Sequence, residues 1–205
     1  MSQNGNQSGF RQVAEADFPT RFGHFRIHGF EGRYSGELEE AVALKMGDLA
    51  AGGPPLVRIH SQCMTGDVFY SLRCDCRGQL DLALERISAE GRGLIVYEHQ
   101  EGRGIGLANK LRAYQLQDEG ADTVEANLLL GFKADHRCYG LPGDILRHFR
   151  VTVVRLLSNN PDKIAALEAA GIRVAERVPC EVEPVGSSEQ YLRTKKEKLG
   201  HLLDL

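Results

Sequence analysis

The feature that most constrains the fold is a series of short apolar runs separated by segments with helical periodicity. Runs at residues 56–61, 93–97 and 151–157 are rich in valine, isoleucine and leucine, which is typical of strands buried on both faces. After the first run, residues 78–90 carry apolar side chains at helical spacing, and Gly91 is the expected end of that helix. Strands that alternate with helices predict an α/β fold with a mixed, partly parallel sheet flanked by helices.

The segments around these runs extend the same alternation. Further strands are expected at residues 23–30, 39–45 and 172–178. A helix is expected over residues 107–117, and Gly120 is the signal that ends it.

Two helix starts carry capping signatures. Asn160 is an expected N-cap, because Pro161 fits the first helical position that follows it. Ser187 and Gln190 match a capping box, which predicts a last helix that runs through Leu202.

Domain organisation is expected to be simple. Residues 1–9 are predicted to be a disordered tail, and residues 10–205 a single domain, since no repeat or linker divides the chain. With 42% hydrophobic and 26% charged residues, the chain has the composition of a folded protein.

Charge and terminal sequence exclude several classes of protein. A net charge of −3 argues against an obligate nucleic-acid or membrane-surface binder. No apolar run approaches the roughly 18 residues that a membrane span requires. The N-terminal sequence MSQNGNQSG lacks the basic and apolar regions of a signal peptide, so we expect a cytoplasmic protein.

Three of the five cysteines fall close together, at Cys63, Cys74 and Cys76. Disulfides are not expected in a reducing compartment, so this cluster favours metal binding. Three thiolates without a fourth cysteine or histidine at zinc-finger spacing favour a zinc site that leaves one position to water. The alternative is reduced cysteines packed as small hydrophobic residues, but the charged sequence RCDCR over residues 73–77 argues against it.

The glycine-rich segment 100–106, QEGRGIG, follows one predicted strand and precedes a predicted helix. Backbone N–H groups and the helix dipole at such a position can bind an anion, although a plain strand–helix turn is the alternative. The segment does not match the G-x-G-x-x-G pattern, and the chain contains no P-loop, so a Walker-type NTPase is excluded.

Several segments, in order and over about residues 12–204, resemble the GTP cyclohydrolase II family. They are RIHSQCMTGD (58–67), LRCDC (72–76), QEGR (100–103), NKLRAY (109–114), DTVEAN (122–127), LGF (130–132) with Asp135 and Arg137, and NNP (159–161).

This resemblance implies an enzyme that opens the imidazole ring of GTP in the first step of riboflavin biosynthesis. Formate from C8 and pyrophosphate are released, and the product is 2,5-diamino-6-ribosylamino-4(3H)-pyrimidinone 5′-phosphate. The resemblance further implies one Zn²⁺ per chain held by Cys63, Cys74 and Cys76, Mg²⁺ with the substrate triphosphate, and a homodimer.

The resemblance also assigns site residues. The substrate-binding positions are Arg58, Ile59, His60, Ser61, Gln62, Gln79, Glu101, Gly102, Arg103, Thr123, Ser158 and Lys163. Glu101 is expected to help hold Mg²⁺. Tyr114, Asp135 and Arg137 are the implied catalytic residues.

Tyr114 is expected to position the base and the hydrolytic water. For Arg137, attack on the α-phosphate with Asp135 as proton acceptor is one implied role. Charge stabilisation as pyrophosphate leaves is at least as sound physically, because a guanidinium stays protonated and is a poor nucleophile.

Four positions depart from the family pattern: Gln62 replaces a glutamate, Gly104 an asparagine, Cys138 an acidic residue and Ser158 a threonine. An amide at Gln62 can neither ionise nor accept a proton. Two alternatives therefore remain, a paralogue that opens a purine ring fully or partly for another pathway, and a non-catalytic nucleotide-binding module that contains zinc.

Overall fold

The computed structural model describes residues 9–34, 36–133, 136–183 and 188–204, and for residues 188–190 it describes the backbone alone. Of the expected N-terminal tail only Gly9 lies within these ranges. Ser187, the expected cap of the last helix, lies outside the described residues. No helix in the described part of the chain is long and apolar enough to cross a membrane.

Strands and helices alternate along the described chain. The strands are β1 (Arg11–Thr20), β2 (Gly23–Tyr34), β3 (Glu37–Met46), β4 (Leu56–Ser61), β5 (Gly93–Glu98), β6 (Val153–Leu157) and β7 (Arg173–Val178). The helices are α1 (Met64–Asp67), α2 (Cys76–Glu90), α3 (Leu107–Asp118), α4 (Thr123–Leu129), α5 (Gly140–His148), α6 (Pro161–Ala169) and α7 (Ser188–Leu199), and a 3₁₀ turn covers Glu101–Gly104.

All these strands belong to one sheet, in the order β1-β2-β3-β5-β4-β6-β7. Strand β2 pairs antiparallel with β1 and β3, and β3 pairs antiparallel with β5. Strand β4 pairs parallel with β5 and β6, and β6 pairs parallel with β7. The prediction of an α/β fold with a mixed, partly parallel sheet is confirmed.

Helices cover both faces of the parallel part of the sheet. Ile59 of β4 packs into a core with Ile145 of α5 and Leu167 of α6. Leu56 points to the other face, where it shares a core with Ile87 of α2. The connections that follow β4 and β6 thus leave the sheet on opposite faces, and this opens a crevice beyond the carboxyl ends of these two strands.

Local sequence signals placed most of the elements correctly. The strand and helix predictions for residues 56–61, 93–97, 107–117 and 172–178 match β4, β5, α3 and β7 within about two residues. The Asn160 side chain accepts a hydrogen bond from the backbone N–H of Asp162 at 3.0 Å, so the predicted N-cap of α6 is confirmed.

The last helix ends earlier than predicted. It was expected to run through Leu202, but α7 ends at Leu199 because Gly200 adopts a left-handed conformation with φ 63°. The chain then turns back to the sheet, where the Leu202 N–H donates to the Asn159 carbonyl at 2.9 Å. Strand β1 and helices α1, α4 and α5 were not predicted.

Candidate active site

A cleft of about 1050 Å³, counting its open mouth, lies beyond the carboxyl ends of β4, β5 and β6. The predicted site residues that line it are Arg58, His60, Ser61, Gln62, Cys63, Cys74, Cys76, Gln79, Glu101, Gly102, Arg103, Tyr114, Thr123, Arg137, Ser158 and Lys163. The fold therefore brings together residues that are spread over about half of the sequence.

Among the predicted residues that the structure describes, Ile59 is the one that does not line this cleft. The Ile59 side chain is buried in the core, because alternate residues of β4 point to opposite faces, and only its carbonyl, which accepts from Lys163 Nζ at 2.8 Å, is directed to this region. Asp135 lies outside the described residues.

The cysteine cluster consists of Cys63, Cys74 and Cys76, whose Sγ atoms lie within 4.8 Å of one another. The Cys63 and Cys74 sulfurs are 3.7 Å apart. Zn–S bonds of about 2.3 Å in a tetrahedron require sulfur separations of about 3.8 Å, so the spacing fits zinc. Gly66 of α1 lies against the cluster, and a Cβ at that position would be 2.9 Å from the Cys74 sulfur. Glycine is thus required there for the three sulfurs to converge.

The cysteine cluster favours a thiolate at Cys63. The pKa of the Cys63 thiol is well below its usual range because Cys74 and Cys76 donate hydrogen bonds to its sulfur and Lys110 lies beside it. The same bond to Cys63 raises the pKa of Cys74 to about 11. Lys110 Nζ is 3.0 Å from the Cys63 sulfur and 2.6 Å from Glu101 Oε1. Soft sulfur donors with a thiolate already favoured are the ligand set that zinc prefers.

Asp67 orients the first cysteine of the cluster. Its buried carboxylate accepts from the Cys63 backbone N–H at 3.0 Å, from the Tyr97 hydroxyl at 2.8 Å and from His60 Nε2 at 3.2 Å. The His60 ring is 2% exposed, and burial lowers its pKa, which keeps the ring neutral. Its Nδ1 atom has no partner among the described residues, so it is available to a bound ligand.

Tyr114 reaches the cysteine cluster through Thr65. The Tyr114 hydroxyl is 3.0 Å from Thr65 Oγ1, which in turn lies 3.6 Å from the Cys63 sulfur. Arg73 covers the Tyr114 ring at 4.9 Å from its centroid. Burial raises the pKa of Tyr114, so the side chain remains a phenol that can donate one hydrogen bond.

The cation cluster, which lines the same cleft, consists of Arg103, Arg137, Lys163 and Lys195. Burial lowers the pKa of the nearby His201 to about 3, and all four of these cations lower it further. So many positive charges around one cleft produce a strong attraction for an anion.

Arg103 is the member of the cation cluster that most clearly lacks a protein partner. Both terminal nitrogens of its guanidinium are buried and unpaired within the described part of the chain. The backbone of the 3₁₀ turn adopts a left-handed conformation at Gly102 and Arg103, with φ 63° and 61°. A strained backbone that holds a buried, unpaired guanidinium in a cleft indicates a site for an anionic ligand.

Sequence reasoning missed several residues of the cleft. Lys110, Tyr191, Lys195 and His201 all line it, and the last three come from α7 and the residues that follow. The sequence YLRTKKEKLGH over residues 191–201 showed amphipathic and basic character. It contained no signal that this segment folds back over the carboxyl ends of distant strands.

Comparisons with known proteins agree with this geometry. A family model described as GTP cyclohydrolase II matches residues 11–179. The protein named GTP cyclohydrolase-2 of Azotobacter vinelandii is 54% identical over 191 residues, which are 93% of this chain and 91% of that protein. That of Pseudomonas aeruginosa strain PAO1 is 56% identical over 93% of this chain and 92% of its own length. The riboflavin biosynthesis protein RibBA of Salinispora tropica is 56% identical over 93% of this chain and 48% of its own length.

Proposed function

The chain belongs to the GTP cyclohydrolase II family, and from that premise we propose that it is a zinc-dependent hydrolase that opens the imidazole ring of GTP. Formate and pyrophosphate are released, and 2,5-diamino-6-ribosylamino-4(3H)-pyrimidinone 5′-phosphate enters riboflavin biosynthesis. One observation carries this proposal: a three-sulfur metal site and a cluster of cations line one cleft. A nucleoside triphosphate can reach both with its base and its phosphates.

The cysteine cluster holds the metal in this proposal. Zinc bound there supplies a Lewis acid, which allows water to be deprotonated at neutral pH for attack on a ring carbon. Asp67 fixes the backbone of Cys63, and Lys110 balances the negative charge of its thiolate. Tyr114, held by Thr65 near the sulfurs, positions the base and the attacking water through its hydroxyl.

Arg103 and Lys163 of the cation cluster bind the triphosphate in this proposal, whereas Lys195 is paired with Asp75. Arg103 offers two unpaired buried nitrogens, and Lys163 lies at the N-terminus of α6, where the helix dipole also favours an anion. Ser158 is buried directly after β6 and lies two residues before Asn160, the N-cap of the same helix. These groups would hold the phosphates while the base lies at the cysteine cluster.

Arg137 assists the departure of pyrophosphate. Its guanidinium donates to Ser61 Oγ at 3.4 Å and lies 5.6 Å from the centre of the Tyr139 ring. A planar donor held in this way can stabilise charge that develops at the α-phosphate. Direct attack by Arg137, with Asp135 as proton acceptor, is the alternative mechanism.

Mg²⁺ is proposed to arrive with the triphosphate. The Glu101 carboxylate accepts from Lys110 and the Gly102 N–H at Oε1 and from the Met64 N–H at Oε2. With two acceptor sites on each oxygen, only Oε2 has one left for a cation or its water. Glu101 therefore offers at most one oxygen, and the phosphates and water must supply the rest.

The remaining predicted contacts surround the base. They are Arg58, His60, Gln62, Gln79 and Thr123, whereas the Ile59 carbonyl accepts a hydrogen bond from Lys163. We propose that these groups read the polar edge of guanine, which adenine would leave partly unpaired. A missing buried hydrogen bond can reduce turnover by several orders of magnitude.

The test is incubation of the purified protein with GTP, Mg²⁺ and Zn²⁺, followed by quantification of formate and pyrophosphate. Equimolar release of both from GTP, and none from ATP, is expected. A product that retains the formyl group would instead indicate partial ring opening by a specialised paralogue. Binding of GTP without any product would indicate a non-catalytic module.

A homodimer is also proposed. Val68, Phe69, Tyr70 and Leu72 are all more than half exposed and follow one another between two cysteines of the cluster. Monomeric proteins seldom expose a contiguous apolar segment of this kind. Sedimentation equilibrium should give twice the chain mass, and Phe69→Asp should shift the protein towards the monomer.

A further inference from the structure

A continuous chain of buried polar contacts joins α7 to the opposite wall of the cleft. Lys195 Nζ donates to Asp75 Oδ1 at 2.7 Å, and Gln79 Nε2 donates to Asp75 Oδ2 at 2.5 Å. Arg58 Nη2 then donates to Gln79 Oε1 at 2.6 Å, and Arg58 Nη1 donates to the Leu157 carbonyl at 2.9 Å. None of the four residues is more than 8% exposed.

The residues at the two ends of this series, Lys195 and Arg58, fix the donor and the acceptor in each of its hydrogen bonds. Lys195 and Arg58 can only donate hydrogen bonds, and an ionised Asp75 can only accept them. The Gln79 amide must therefore present its NH₂ group to Asp75 and its oxygen to Arg58. Arg58 and Asp75 therefore fix the Gln79 amide from its two sides, and Lys195 holds the Asp75 carboxylate in place.

Two residues of the chain also have unused polar groups in the cleft. Arg58 and Gln79 line it, and Arg58 Nε is buried without a partner within the described residues. Gln79 retains one N–H and one acceptor site after its two bonds to protein. A buried, unpaired guanidinium N–H beside a free amide group is arranged for a ligand with polar atoms of fixed type.

The position of these groups indicates which part of the ligand they contact. Gln79 lies three residues after Cys76 in α2, about one helical turn from the cysteine cluster, and Asp75 lies between Cys74 and Cys76. The ring carbon that reacts must be next to the metal held by these cysteines. In the proposed function, Arg58 and Gln79 therefore lie on the side of the cleft that would hold the base.

We propose that Asp75 and Lys195 are positioning residues that lock the orientation of Gln79 and Arg58 and so determine which base the cleft accepts. Because Lys195 is part of α7, the C-terminal helix contributes to base recognition without touching the base. This inference rests on the proposed function for the identity of the ligand, but its test measures binding as well as turnover.

Helix α7 provides a matched control. Lys198, one turn after Lys195, forms ion pairs with Asp122 and Glu125 of the α4 cap and is 40% exposed. Both lysines attach α7 to the rest of the protein. Of the two, Lys195 is the one linked to the Gln79 amide, through Asp75. A general effect of helix docking should therefore appear in Lys198→Met as well as in Lys195→Met.

The experiment measures the dissociation constants of GTP and inosine triphosphate by calorimetry for the zinc-loaded wild type and variants, without Mg²⁺ so that GTP is not turned over. Lys195→Met and Asp75→Asn should weaken GTP binding about 10- to 100-fold, as expected for loss of a hydrogen bond to a charged group. They should also reduce the preference for GTP over inosine triphosphate, with zinc content unchanged. Lys195→Arg should retain much of the GTP affinity and of the preference for GTP. Lys198→Met should resemble the wild type in both measurements.

An unchanged GTP affinity and base preference in soluble Lys195→Met would overturn the inference, and so would an equal loss in Lys198→Met. If Lys195→Met does not fold, Asp75→Asn and Lys195→Arg decide the question in the same assay. A wild-type protein that binds GTP but releases no formate would refute the proposed function, and the binding data would still test the role of Lys195.

Discussion

The antiparallel part of the sheet, β1 to β3, and the parallel part, β4 to β7, contribute very differently to the cleft. Among the described residues, none before Arg58 lines it. The lining comes from the carboxyl ends of the parallel strands, from the helices that connect them and from the C-terminal segment. Both parts nevertheless belong to one sheet joined through β3 and β5.

Strand direction explains this difference. Antiparallel neighbours can be joined by tight turns, as β1 and β2 are around Arg21 and Phe22, and such turns leave little chain to build a site. Parallel neighbours need long crossover connections, whose loops all begin at the same edge of the sheet. The parallel part therefore determines the chemistry, and the antiparallel part mainly adds buried surface.

Replacing a cysteine of the cluster should give the largest effect and confine it to the parallel part. Cys74→Ser substitutes a hydroxyl for a soft thiolate, so zinc and formate release should both be lost. Cys138→Ser and Cys180→Ser, which lie outside the cluster, should retain one zinc per chain. Metal analysis checks this, and stoichiometric zinc in Cys74→Ser would contradict the assignment.

A core substitution in the antiparallel part should change stability without changing chemistry. Phe30 of β2 is 2% exposed, stacks on Phe10 and meets Phe149 edge to face. Phe30→Ala should lower the free energy of unfolding by about 3–5 kcal/mol, as measured by urea denaturation. The rate of formate release per folded molecule should stay unchanged, with Val13→Ala on exposed β1 as the control. A lower rate per folded molecule would break the division between the two parts.

Arg137→Lys tests the phosphate side of the cleft. Lysine keeps the charge but loses the planar pair of donors, so pyrophosphate release should fall about 10²- to 10³-fold while zinc is retained. Arg147→Lys, on the outer surface of α5, is the control that should leave the rate unchanged. Release at the wild-type rate in Arg137→Lys would remove Arg137 from the catalytic residues.

Glu98 sharpens the comparison because β5 pairs with both parts of the sheet. Burial raises the pKa of its carboxyl to about 7, although Lys163, Arg137 and Ser61 act in the opposite direction. Because the pKa of this carboxyl is higher in the folded than in the unfolded protein, folding favours its protonated form. Its contribution to the free energy of unfolding therefore falls as pH rises from about 4.5 to 7.

Glu98→Gln should remove this pH dependence. As pH rises over that range, its free energy of unfolding should increase by up to about 3 kcal/mol relative to that of the wild type. Urea denaturation at several pH values measures it, with Glu37→Gln on β3 as a control for the loss of one exposed charge. Parallel pH profiles for Glu98→Gln and the wild type would show that Glu98 does not titrate in this range.

The missed elements show where local patterns fail. Strand β1 is an edge strand with mostly exposed side chains, so it lacks the apolar alternation that predicts a strand. Helix α5 begins with the sequence GLPG over residues 140–143, whose glycines and proline indicate a loop. Helix α4 did carry a signal, because Asp122 and Glu125 form a capping box.

The sequence alone determined the α/β fold, the central strands, the cap at Asn160 and the cysteine cluster, because each depends on residues close together in the chain. Family resemblance added distant residues such as Arg58 and Lys163, which the fold then brought to one cleft. Only the tertiary structure placed Lys195 against Asp75, 120 residues away. That contact depends on where α7 packs, which is decided by the shape of the whole sheet and leaves no pattern in the lysine-rich segment itself.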